Sequence, residues 1–183
     1  MGVSLALLSV VLVATPQEEQ LYREIREFVR DFAILEGSSS AEKAEIRSFS
    51  EGRVTVRVSN ITGYVKGLDN GADYQYASVA HDDFSIRWSN VAKLVMVGNP
   101  ETQPDVSPAL LIVSKTKFDV RSTYESSIMG ASSEDRELQA CKIPFSKFSR
   151  VEDLASMFKS LHKTLGLNIP IDTAKAKSAG AGQ

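Results

Sequence analysis

From about position 44 onward, apolar side chains fall at every second place for about a hundred residues, a period that confines the middle of the chain to strands. Val54, Val56 and Val58 alternate with Thr55, Arg57 and Ser59. The turn Ser50-Glu51-Gly52 before them folds residues 45–49 back as a hairpin partner. Asp69-Asn70-Gly71 is the next turn signal and leads into Tyr74-Gln75-Tyr76-Ala77-Ser78-Val79. His81-Asp82-Asp83 reads as a turn, after which Phe84, Ile86 and Trp88 share one face of another strand. Residues 93–97 and 109–114 are compact apolar runs of strand length. Pro100, Pro104 and Pro108 between them cannot join a central ladder and predict an exposed loop. Phe118, Val120, Ser122 and Tyr124 alternate again, residues 126–133 read as a loop, and the last strand surrounds Cys141. The expectation is seven or eight strands, mainly antiparallel because no strand–helix–strand alternation occurs.

A helical period flanks this region on both sides. Thr15-Pro16-Gln17-Glu18 has the cap, the first-turn proline and the acid of a capping box. Leu21, Ile25, Phe28, Val29, Phe32 and Leu35 then form one apolar stripe, which Gly37 ends, with Ser38-Ser39-Ser40 as a linker. Near the C-terminus Ser149-Arg150-Val151-Glu152 predicts a second capping box. Val151, Leu154, Ala155, Phe158, Leu161 and Leu165 predict a helix with one buried face, stopped by Gly166. The fold class expected is α+β: an N-terminal helix, the strands, and a C-terminal amphipathic helix that closes them.

The chain of 183 residues has room for one such domain, expected over residues 15–169. Residues 3–14 are apolar except for Ser4 and Ser9 and then give way abruptly to Thr15-Pro16-Gln17-Glu18-Glu19. That run has the length of a signal-peptide core and is too short to span a bilayer, so residues 1–14 are expected to be a leader and the protein secreted or periplasmic, with no transmembrane span. Residues 170–183, ending in small and polar side chains, are expected to form a disordered tail.

The order of strands followed by one amphipathic helix, with Phe84-Ser85-Ile86-Arg87-Trp88-Ser89-Asn90-Val91 and later Ile143-Pro144-Phe145, resembles bacterial pleckstrin-homology-like domains over about residues 44–166. The resemblance implies a barrel or sandwich of that kind and a role in binding or scaffolding, of lipid headgroups or peptides. The first hairpin departs from the lipid-binding pattern, since only Arg47, Arg53 and Arg57 occur where that pattern has a dense basic cluster.

Little in the sequence points to catalysis. A formal charge of −2 gives no basic field for a nucleic-acid partner. The charge is uneven: residues 1–52 hold nine acids against five bases, and residues 142–183 seven bases against three acids. The single cysteine, Cys141, excludes an internal disulfide and reads as a packed thiol. His81, Asp82 and Asp83 are the one place where imidazole and carboxylates adjoin, but three consecutive residues point in different directions, so no catalytic, metal or cofactor site is expected there. His162 borders the apolar stripe of the last helix and is expected to top the core with its ring hydrogen-bonded. Three functional classes follow. The first is a non-enzymatic, extracytoplasmic binding module for a protein or small ligand. The second is a small-molecule carrier with a pocket bordered by Tyr74, Tyr76 and Trp88. The third is a hydrolase using His81, Asp82 or Asp83.

Overall fold

The structure, a computed structural model, describes residues 15–50, 52–63, 78–126 and 130–174, together with the backbone of residues 65–66 and 74–75. The leader at 1–14, the turn at 69–71, Tyr76 and the end of the chain from 175 lie outside the described residues.

Helix α1 spans Pro16–Phe32 and opens with the expected capping box: the Glu18 N–H donates to Thr15 Oγ1 at 3.3 Å and the Thr15 N–H donates to Glu18 Oε2 at 2.8 Å. It buries Ile25 and Val29. It also ends earlier than the apolar stripe predicts. Ala33 is the C-cap, and Ile34–Glu36 form strand β1 instead of a last helical turn. The cause is local: the Gly37-Ser38-Ser39 segment turns the chain back, so that Ile34–Glu36 pair antiparallel with Ala41–Lys43 and exchange helical hydrogen bonds for sheet bonds.

Strands β2 (Ser40–Ser50) and β3 (Arg53–Thr62) form the expected hairpin, with a bulge between Ile46 and Ser48. Strands β4 (Val65–Lys66) and β5 (Tyr74–Gln75) form a separate two-stranded ladder. Strand β6 (Ser78–Arg87) pairs with β3 and passes through a short 3-10 turn at Trp88–Asn90 into β7 (Val91–Val97). The proline-rich loop after β7 is as expected. Gly98 enters it at φ 76°, and a Cβ there would lie 2.6 Å from Pro108.

The two apolar segments expected as separate strands at 109–114 and 118–124 are one strand, β8 (Ala109–Ser126), which has no glycine or proline to break it. Its first part pairs with β7 and its last part with β6, while β9 (Gly130–Pro144) runs along its other side. Residues 130–133, expected in a loop, are thus the start of β9. Between Val113 and Phe118 the β8–β9 register shifts, and this bulge lies against the 3-10 turn. Asn90 Nδ2 donates to Thr116 Oγ1 at 2.8 Å and Lys115 Nζ to the Ser89 carbonyl at 2.9 Å. Two bends side by side curl the sheet. Its eight strands run in the order β1-β2-β3-β6-β8-β7-β10, with β9 on β8, and form a half-barrel whose β2 and β9 come close enough for Lys142 Nζ to reach Glu42 Oε2 at 2.6 Å.

Helix α2 spans Phe148–Thr164. The expected capping box at Ser149 does not form: Lys147 is the N-cap without a side-chain bond, and Ser149 is already helical. Phe145 is fully buried and Phe148 packs on the core, so the apolar side chains set where the helix begins. Val151, Leu154, Phe158 and Leu161 are fully buried in one cluster with Ile25 and Val29 of α1 and with Val54, Ile86 and Ile112 of the sheet. Arg150 lies over the Phe32 ring at 4.1 Å and ties the two helices together. Gly166, at φ 68°, ends the helix. The chain then returns to the sheet: strand β10 (Ile171–Thr173) pairs parallel with Leu94–Met96, so sheet structure extends past Pro170, where the tail is expected to start. Among the described residues no helix is long and apolar enough to cross a membrane.

Candidate functional site

His81, Asp82 and Asp83 lie in the middle of β6 and not in a turn. Phe84 and Ile86 anchor the strand in the core, and the polar triplet before them is held in the ladder because each member finds a partner on a neighbouring strand. A strand sends successive side chains to opposite faces, so the triplet does not converge.

Asp82 shares the face of Phe84. One of its oxygens accepts from Ser122 Oγ and from Arg136 Nη2, both at 2.6 Å. Asp83 faces the other way and takes a two-pronged bond from Arg57, at 2.8 Å to Nε and 2.7 Å to Nη2, which holds its carboxyl below the usual carboxylate range. His81 Nδ1 lies 2.8 Å from Ser59 Oγ. Burial, and then the neighbouring Arg57 cation, lower the His81 pKa, so the ring is neutral at pH 7. Ser59 is a partner that sequence reasoning missed. It stands across from His81 in the β3–β6 register, a pairing visible only once the strands are aligned. Chemically the set amounts to a serine–imidazole pair on one face and two carboxylates each committed to an arginine. Among the described residues no group of three His, Cys, Asp or Glu side chains gathers where it could hold a metal.

The face that carries Asp83 has a longer pattern. Residues in register across β2, β3, β6, β8 and β9 read Glu45, Arg57, Asp83, Arg121 and Asp135, alternating in sign from strand to strand. Opposite charges directly across a sheet attract, and this row satisfies that rule at every step. Beside it Asp119 pairs with Glu137. Together Asp83, Asp119, Arg121, Asp135 and Glu137 line an open groove of about 560 Å³ along β6, β8 and β9.

The third aromatic of the expected pocket, Trp88, is only 1 % exposed. Its ring packs edge-on against Phe158 at 5.2 Å and His162 at 4.8 Å. The side chains of Tyr74 and Tyr76 lie outside the described residues. His162 is buried, as expected, but neither of its ring nitrogens has a hydrogen-bond partner, nor does Trp88 Nε1. Burial alone lowers the His162 pKa to about 4. The Cys141 thiol is fully buried, and burial raises its pKa, which keeps it protonated and unreactive.

The chain was compared with family models, curated proteins and solved structures, and nothing matches in any of the three.

Proposed function

We propose that the protein is a non-enzymatic, extracytoplasmic interaction module that binds its partner on the outer surface of a pleckstrin-homology-like half-barrel closed by α2. The observation that carries this reading is the filled interior around Trp88. A carrier needs a cavity where its aromatic wall stands, and here that space holds the rings of Phe158 and His162. The commitment of Asp82 and Asp83 to arginines supports surface recognition over general acid–base work in the same way.

Trp88 is the only tryptophan, so its emission reports on this one site. Adding an apolar fluorescent probe such as anilinonaphthalene sulfonate to the native protein is expected to leave Trp88 emission unchanged. Saturable one-to-one quenching by energy transfer would show a probe bound within transfer range of Trp88 and would favour the carrier.

Residence outside the cytoplasm rests on the apolar run at residues 3–14. Intact-mass measurement on protein from its native host is expected to show the loss of about fourteen residues, the length of that leader. Recovery of the full-length chain from the cytosol would remove the export assignment and leave the binding assignment standing.

A further inference from the structure

Strand β9 bonds to β8 from Gly130 to Leu138 along one side only. Among the described residues no other backbone hydrogen-bonds to this stretch, and residues 130–137 are exposed. In an antiparallel ladder every second residue directs its N–H and C=O away from its partner, so this segment presents a row of unpaired backbone groups to solvent.

The side chains decide what can pair there. The alternating row from Glu45 to Asp135 stops at this edge on an acid, and the next strand in the same row would continue it with a cation. Glu137 lies two residues from Asp135 on the same face. A strand laid beside β9 would therefore set two of its own alternate side chains against two carboxylates. Among the described residues Asp135 forms no ion pair, and Glu137 has only the exposed Lys117 at 3.1 Å. Arg136, the one base in the stretch, is already engaged by Asp82 on the opposite face. A second copy of the same edge fits poorly, because antiparallel pairing centred on Asp135 sets carboxylate against carboxylate.

We infer that residues 130–138 are the docking edge for an extended segment of a partner protein with lysine or arginine at alternate positions, which joins the sheet as an added strand. This rests on the surface-binding reading above and names the surface and the partner's chemistry.

The test uses the whole protein and a capped heptapeptide alternating lysine and valine, followed by backbone amide NMR and hydrogen exchange. The peptide is expected to slow amide exchange within residues 130–138 and to bind more weakly as salt is raised. The double variant Asp135→Lys, Glu137→Lys turns two cross-strand attractions into repulsions and is expected to weaken binding about tenfold. The same variant should instead accept a peptide alternating glutamate and valine. Both positions are exposed, so the thermal midpoint of the variant should match the parent and exclude misfolding as the cause. Three results would overturn the inference: binding without protection of residues 130–138, equal binding of the glutamate peptide to the parent, or no binding at millimolar peptide. Each would leave the Trp88 result untouched, so the edge can fail while the surface-binding reading stands.

Discussion

Phe158→Ala is expected to cost about 3–5 kcal/mol and to move the chemical-denaturation midpoint sharply downward. Phe158 is fully buried, its ring lies against Trp88 at 5.2 Å, and it belongs to the same cluster as Ile25 and Val29 of α1 and Ile86 and Ile112 of the sheet. Deleting it opens a cavity where both helices and the sheet meet. Against a total stability of about 5–15 kcal/mol, a loss of that size leaves a marginal domain. If α2 were instead a helix held out for a partner, truncation would shift stability by about half a kcal/mol or less, as surface substitutions do. An unchanged midpoint would detach α2 from the core and with it the half-barrel's claim to closure.

Acid should destabilise the protein through His162. The imidazole is buried, has no hydrogen-bond partner, and titrates at about 4 in the folded chain against 6.5 in an open one. The unfolded chain therefore binds the extra proton first. Stability attributable to this group is fully present above pH 6.5, falls as the pH drops toward 4, and levels off below that, a loss of at most about 3 kcal/mol. His81, whose pKa is also lowered, acts in the same direction and remains in any His162 variant. His162→Leu is expected to remove most of the slope between pH 6.5 and 4. At pH 7 it should be neutral or slightly stabilising, since it deletes two unsatisfied nitrogens from the core. Urea midpoints measured across this pH range check both statements. An unchanged slope in the variant would mean that the imidazole reaches water in the folded state.

What could be read before the structure depended on whether a residue's role is local or shared. The capping box at Thr15 and Glu18, the β2–β3 hairpin, the proline-rich loop and the buried stripe of α2 are properties of short segments, and each is as expected. The polar triplet in β6 reads as a turn in the sequence because its stabilising partners, Ser59, Arg57, Ser122 and Arg136, lie on other strands and contribute nothing to a local pattern. Residues 130–133 looked like a loop because a strand exposed on both faces has no apolar alternation to detect. The charge row from Glu45 to Asp135 draws one residue from each of five strands, so nothing in any single segment announces it. Trp88 is an aromatic of the right kind for a pocket wall, but whether it walls a cavity or fills one depends on Phe158 and His162, which come from a helix some seventy residues later.

Strand β10 also bears on when the protein can finish folding. Residues 171–173 complete the described sheet against residues 94–96, so a strand synthesised late pairs with one made long before it. Parallel pairings over such separations form slowly, because the intervening chain must be ordered before the contact is rewarded. While the chain is still growing, the outer side of β7 has no occupant, and the sheet is finished only after synthesis has passed Thr173.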